Sequence, residues 1–322
     1  MNDLFSTLSG RLNCPDDHAI LQLEQAAFHC PCCSRCFPIV ADNFVELLPK
    51  NPAVLPAEFK REYLEGYLRE FHRPFVFIED LGISEAAKLE KNTRARNDVL
   101  FHAQVAAPAW VQKRSREVKR VLPLLARESS SPKILCDFSA GPGDYTLAYA
   151  SQFSVVLHCD LSVDSLAYAV RKSAQRKLEN VLFLRIDYFS PPFQNSLDQI
   201  ICLDTLIRGK PHETALLRAI QQSLTPQGFA IVDFHNWWHN PLRRLGLLPQ
   251  NFGKNQSYDR RTAEGLLCET GVAEFEYFPF FQEFDHANLS SRLLSMIVPP
   301  TRFIYRFSSS RRSVPRQNVA GL

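Results

Sequence analysis

From Lys133 onward, short apolar runs alternate with longer amphipathic segments. The runs KILCDF (133–138), SVVLHCDL (154–161), VLFLRID (181–187), LDQIICLD (197–204) and FAIVDFH (229–235) predict strands. Between them, DSLAYAVRKSAQRKL and HETALLRAIQQSL place apolar residues at helical spacing. Strands alternating with helices predict an α/β fold with a mostly parallel, doubly wound sheet. Two further β-rich stretches, EFEYFPFFQEF (274–284) and TRFIYRFS (301–308), are placed to pair antiparallel at the sheet edge and bring the expected sheet to seven strands. Upstream, segments such as PAEFKREYLEGYLREF and WVQKRSREVKRVLPLLARE read as helices. The chain thus divides into a cysteine-rich module (1–50), a helical lid or linker (51–130), the α/β domain (131–310) and a polar tail (311–322) expected to be disordered.

Composition narrows the class without deciding it. The 322 residues are 45% hydrophobic and 22% charged, an ordinary globular balance. A formal net charge of +3 falls short of a nucleic-acid-binding footprint. There is no apolar run long enough for a membrane-spanning helix, and MNDLFSTLSGRLNC lacks the basic-then-apolar pattern of a secretory signal. The expected location is therefore the cytoplasm, with no membrane partner. Five of the nine cysteines (Cys14, Cys30, Cys32, Cys33, Cys36) lie in the first 36 residues. Without a secretory signal, such a cluster reads better as metal binding than as disulfides.

The sharpest chemical signal is KILCDFSAGPGDYT (133–146). A strand ends at Asp137, a turn of small residues follows, and a helix opens near Asp144. Gly141 and Gly143 let the backbone turn tightly and approach a ligand, and the helix start offers free N–H groups. A dinucleotide fold wants a third glycine where Thr146 stands. The second strand ends in Asp160, at a spacing suited to ribose hydroxyls, and the third in Asp187. Two carboxylates at successive strand ends cost desolvation unless something pairs with them.

These residues resemble the class I family of S-adenosylmethionine-dependent methyltransferases, whose first strand and loop read roughly D-x-G-x-G-x-G. The resemblance implies a Rossmann-like sheet and S-adenosylmethionine as cofactor. It assigns Asp137, Ser139, Ala140, Gly141 and Gly143 to the cofactor loop, and Asp160, with its neighbour Leu161, to the ribose. Asp187 is assigned to the adenine amine, Tyr188 to the adenine ring and Leu203 to the same pocket. LTPQGFAIVDF resembles the family's turn before its fifth strand, with Gly228 in place. Ser139 departs from the first family glycine.

In the cysteine-rich module, Cys30-Pro-Cys32-Cys33 supplies one C-x-x-C, half of a zinc knuckle. Where a second pair is expected the chain reads Cys14-Pro-Asp16-Asp17-His18. Carboxylate and imidazole both ligate zinc, so the candidate site is Cys14, Cys30 and Cys33 with Asp17 or His18. Cys33-Ser-Arg-Cys36 is an overlapping second C-x-x-C. The stretch resembles the zinc-ribbon module that precedes some methyltransferase domains, which implies structural zinc.

Methyl transfer needs alignment and exclusion of water more than a catalytic signature. Asp204 and Thr205, after the fourth strand, and His235, Trp237 and Trp238, after the fifth, are expected to wall the site, with His235 a candidate general base. Trp110, Arg114 and Arg116 in the lid are candidate acceptor contacts. The Asn/Asp-Pro-Pro-Tyr/Phe motif of amino-methylating DNA enzymes is absent. Three functions remain open. A small-molecule methyltransferase suits the aromatic walls and modest charge. An RNA base methyltransferase is suggested by a zinc module resembling that of ribosomal RNA guanine methyltransferases, although residues 1–50 carry only Arg11, Arg35 and Lys50 as basic side chains. A scaffold that binds cofactor without transferring methyl is the third.

Overall fold

The computed structural model describes residues 4–89, 109–125, 134–239, 245, 247, 256–280 and 299–308, giving backbone alone for 109–116 and 239. The tail 311–322, residues 281–284 and the side chains of Trp110, Arg114 and Arg116 lie outside what is described. The N-terminal strands are β1 (Gln22–Glu24), β2 (Ala27–His29), β3 (Cys36–Val40) and β4 (Phe44–Leu47), followed by helices α1 (Arg61–His72) and α2 (Ala109–Leu125). The α/β part runs β5 (Ile134–Phe138), α3 (Asp144–Tyr149), β6 (Val155–Asp160), α4 (Val163–Gln175), β7 (Val181–Ile186), β8 (Leu197–Leu206), α5 (Lys210–Ser223) and β9 (Leu224–His235). It closes with α6 (Arg260–Glu269), β10 (Phe275–Phe280) and β11 (Arg302–Ser308).

The strands order as β1-β2-β3-β4-β7-β6-β5-β8-β9-β11-β10. From β7 to β9 the pairing is parallel, and β11 and β10 add antiparallel strands at one edge. Every residue of β5, β6 and β7 is buried, as a parallel sheet covered on both faces requires. The glycine within β9 has a steric role of its own. A Cβ on Gly228 would stand 2.7 Å from the Leu197 carbonyl oxygen.

Among the described residues the sheet has eleven strands, which corrects the expectation of seven. The seven form a contiguous block, but β7 is not its free edge. FPIVADNFVELLPK folds as the β3–β4 hairpin, and β4 lies parallel to β7 with Phe44 opposite Phe183 and Leu47 opposite Ile186. This pairing satisfies the backbone groups that an apolar edge strand would otherwise expose. The cysteine-rich module therefore shares its sheet with the α/β part.

One charged side chain ties these pieces together. Arg185, within the apolar run of β7, is 1% exposed. Its Nη1 donates to Glu46 Oε2 (2.6 Å) on β4, and its Nη2 to the carbonyls of Glu70 (2.6 Å) and Arg73 (2.7 Å) at the end of α1. Its Nε donates to Leu161 O (3.3 Å), just past β6. The guanidinium thus caps α1 with positive charge at the end where carbonyls lack partners. Arg185→Met is expected to destabilise the protein by about 3 kcal/mol, because a neutral side chain abandons a carboxylate and three buried carbonyls. Urea unfolding at neutral pH measures this; a loss within about 0.5 kcal/mol would contradict the anchoring role.

Candidate active site

The chain runs from β5 outward to β6 and β7, then returns to place β8 and β9 on the other side of β5. Such a reversal opens a crevice at the carboxyl ends of the strands. A cavity of about 650 Å³ lies there. β5 contributes Asp137 and the loop after it Ser139, Ala140 and Gly141, the β6 side contributes Asp160, and Tyr188 follows β7. Leu203, Asp204, Thr205, His235 and Trp237 line it from the β8–β9 side. A smaller cavity of about 310 Å³ adjoins it beneath α1, sharing Tyr63, Ser139, Asp160, Tyr188 and Arg208.

The loop is wound by three left-handed residues, Ser139 (φ 60°), Gly141 (φ 57°) and Gly143 (φ 90°). Ser139 holds this conformation at a cost of about 1 kcal/mol, the kind of strain that collects at ligand sites. The Gly141 N–H donates to Asp160 Oδ2 (2.6 Å) and the Ser162 N–H to Oδ1 (2.8 Å), so the carboxylate is fixed toward the cavity. Burial raises the Asp160 pKa above the usual carboxylate value despite those donors. Asp137 Oδ2 accepts from Thr146 N (3.0 Å) and Oγ1 (2.6 Å). Its burial outweighs these bonds and pushes its pKa up to about 7.

On the β8–β9 side sits a charged cluster around Arg302 of β11, itself 5% exposed. Nη1 of Arg302 lies 2.6 Å from both Asp204 Oδ1 and Asp233 Oδ2, and Nη2 lies 2.7 Å from Glu117 Oε1 of α2. The Asp204 N–H donates to Asp233 Oδ1 (2.8 Å), and Asp204 is itself left-handed (φ 62°). His235 Nε2 is 2.8 Å from Asp204 Oδ1 and 3.5 Å from Asp233 Oδ2. Burial, then the Arg302 charge, hold the His235 pKa below its usual value against the pull of Asp233. Burial opposes the charge on Asp233, but Arg302 and His235 outweigh it and its pKa is lowered. Asp204, Asp233 and His235 have the spacing of a metal site. However, Arg302 Nη1 already occupies the position between the two carboxylates, so the cluster carries its own cation.

Several sequence expectations change here. Asp187 is fully buried and does not line the large cavity. Its Oδ2 accepts from Tyr67 OH (2.5 Å) and Ala53 N (3.1 Å), and its Oδ1 from Phe189 N (3.0 Å), so this carboxylate fastens the N-terminal segment. Gly143 also stands back from the cavity. A Cβ there would meet Leu147 Cγ at 3.3 Å and Ala169 Cβ at 3.4 Å, so the glycine serves the start of α3 and its packing on α4. Leu161 lines the smaller cavity, not the larger.

Sequence reasoning missed Tyr63, Glu117 and Arg302. Tyr63 reaches from α1 to Tyr188 OH (2.5 Å) and His212 Nε2 (3.1 Å), roofing both cavities. Arg302 left a trace as a charge inside an apolar strand; Glu117 left none among the other charges of α2.

The metal candidates gather as well. Single ligand atoms of Cys14, Asp17, Cys30 and Cys33 all lie within 4.8 Å of one another. Cys14 Sγ is 3.6 Å from Cys33 Sγ, Cys30 Sγ is 3.2 Å from Asp17 Oδ2, and the N–H groups of Cys32 and Cys33 point to Cys30 Sγ at 3.4 Å. Of the two non-cysteine candidates, Asp17 lies within this group and exposed His18 outside it.

Residues 135–228, from β5 into β9, match the methyltransferase domain family. The centre of the chain is thus similar to a methyltransferase domain. No curated protein matches it. Among solved structures it is similar to phosphoethanolamine N-methyltransferase 2 of Haemonchus contortus, at 15% identity and a TM-score of 0.47, over 68% of this chain and 57% of that one. This chain therefore spans little more than half of that enzyme. It is also similar to magnesium protoporphyrin IX methyltransferase of Synechocystis (18%, TM-score 0.49, 68% and 94%). A third is geranyl diphosphate C-methyltransferase of Streptomyces coelicolor (12%, TM-score 0.49, 79% and 100%).

The raised pKa of Asp137 makes stability depend on pH. Between its unfolded value of 3.8 and about 7 the folded state holds a proton that the unfolded state has lost, so this residue's contribution falls as pH rises through that window. Asp137→Asn, which keeps an oxygen for Thr146, is expected to unfold at higher temperature than the parent protein at pH 8. The gain should shrink as pH falls below about 7 and vanish near 4. Thermal unfolding without ligand tests this, and a gain independent of pH would contradict it.

Proposed function

We propose that the protein is an S-adenosylmethionine-dependent methyltransferase acting on a small-molecule acceptor, with a structural zinc in its N-terminal module. The observation that carries the cofactor is Asp160, at the end of β6 and facing the cavity, with both oxygens oriented by the N–H groups of Gly141 and Ser162. A carboxylate so held suits a vicinal diol such as a ribose. Gly141 lines the cavity with nothing within 4 Å of where a Cβ would stand, so the loop leaves room for a ligand against its backbone. Ser139 and Ala140 complete that loop. Asp137 supplies a carboxylate beside it, Tyr188 an aromatic face and Leu203 an apolar one. When bound, the cofactor supplies an electrophilic methyl on sulfonium sulfur. The protein's own residues orient the two reactants and exclude water, with His235 placed to take a proton from the acceptor.

Three thiols and a carboxylate suit zinc, and backbone N–H groups aimed at Cys30 Sγ suit a thiolate. Cys14, Asp17, Cys30 and Cys33 would hold the ion in a closed site with no open position for substrate, hence a structural role.

Calorimetric titration with S-adenosylhomocysteine is expected to give micromolar binding, weakened about 10- to 100-fold in Asp160→Ala. A folded protein that binds neither S-adenosylmethionine nor S-adenosylhomocysteine would refute the cofactor assignment. For the metal, freshly purified protein never exposed to chelator is expected to carry one zinc per chain by elemental analysis, reduced in Asp17→Ala. Well under one equivalent in the parent protein would refute it.

A further inference from the structure

We propose that the acceptor is an amine, received on the wall formed by Glu117, Asp204 and His235 with its N–H groups turned toward their acceptor atoms. This rests on the cofactor reading above and adds the class of substrate to it. Glu117 and Asp204 line the β8–β9 end of the cavity beside Arg302. Among the described residues, Glu117, Asp204 and Asp233 place three carboxylates around one guanidinium, whose two Nη groups are engaged by them. His235 lines the same cavity, is 7% exposed, and its Nε2 is buried without a hydrogen-bond partner. Asp204 Oδ1 stands 2.8 Å away, close enough for one small donor group to serve both atoms. A carboxylate or phosphate brought here would add negative charge to a wall already rich in it. A protonated amine brings both the donors and the positive charge that such a wall stabilises.

The same groups fit the chemistry. The acceptor binds as an ammonium and gives one proton to His235, which burial and the Arg302 charge keep neutral beforehand. The freed nitrogen lone pair then forms the bond to the methyl carbon as the carbon–sulfur bond breaks, its electron pair staying on sulfur. A sulfonium becomes a thioether, the amine becomes a methylammonium, and the one proton released leaves through His235 to solvent. Tyr145 and Trp237, also on this wall, offer aromatic faces to a cationic methylamine. Arg208, the other cation lining the cavity among the described residues, lies over the Tyr63 ring, 5.7 Å from its centroid, on the α1 side.

The test needs no acceptor. Sinefungin carries an amine-bearing carbon where S-adenosylmethionine carries its methylated sulfur, so it projects an ammonium toward the acceptor wall; S-adenosylhomocysteine projects nothing there. Calorimetry on the full chain is expected to show sinefungin binding at least tenfold tighter than S-adenosylhomocysteine, about 1.4 kcal/mol. Asp204→Asn should bring that ratio to within threefold, asparagine being among the residues best suited to its left-handed backbone. Glu117→Gln is the second variant should the first fail to fold, with the same expected direction. Equal affinities in the parent protein, or a tenfold ratio that neither variant changes, would overturn the proposal. A loss shared equally by both ligands in Asp204→Asn would place Asp204 on the cofactor's amino acid and overturn it too. Absence of S-adenosylhomocysteine binding by the folded parent protein is a different failure. It would remove the cofactor reading, and this proposal with it.

Discussion

A buried arginine must find oxygen for each of its donors, and in this protein that requirement binds the N-terminal segments to the α/β sheet. Arg185 meets it with partners from three separate segments: Glu46 on β4, Glu70 and Arg73 at the end of α1, and Leu161 beyond β6. None of these partners can move away without leaving a charge or a carbonyl unsatisfied in the interior, where such a loss is most expensive. The added strands, the helix over the cavity and the strand end that presents Asp160 are therefore held by one group. Asp187, two residues on, repeats the device with opposite sign by accepting from Tyr67 and Ala53.

At the other side of the crevice, Arg302 plays the corresponding part. It draws Glu117 from α2, Asp204 from β8 and Asp233 from β9 to a strand that arrives last in the chain. The cavity thus lies between two arginine-centred networks, each anchored in the sheet. A wall made this way is oriented before any ligand arrives, which is what electrostatic recognition of a reacting group requires. It also explains why Asp204 can persist in a left-handed conformation, since its N–H and carboxylate are both held by neighbours.

Much of the architecture was legible because periodicity is local. The apolar runs at 133–138, 154–161, 181–187, 197–204 and 229–235 each fold as strands, and the amphipathic segments between them as α4 and α5. The strand-end acids Asp137 and Asp160 could be picked out because a carboxylate ending an apolar strand is conspicuous in any sequence. The pairing of β4 with β7 was not legible. VLFLRI reads as a strand and FVEL only as part of an apolar stretch, and nothing local says that one lies beside the other; their mutual burial is worth having only once both are folded. Arg185 and Arg302 were visible as charges within apolar runs, and that was a usable sign of buried partners; the identity of the partners was not.

Asp160 and Asp187 show the division most clearly. The sequence by itself determined that two successive strands end in carboxylates at the crevice side of a doubly wound sheet, because strand periodicity and residue type are carried by neighbouring positions. Only the tertiary structure decided that Asp160 faces the cavity while Asp187 is taken up by the N-terminal segment. Whether a buried carboxylate meets a ligand depends on whether some distant part of the chain has already brought it a donor, and for Asp187 those donors come from Tyr67 and Ala53, more than a hundred residues away.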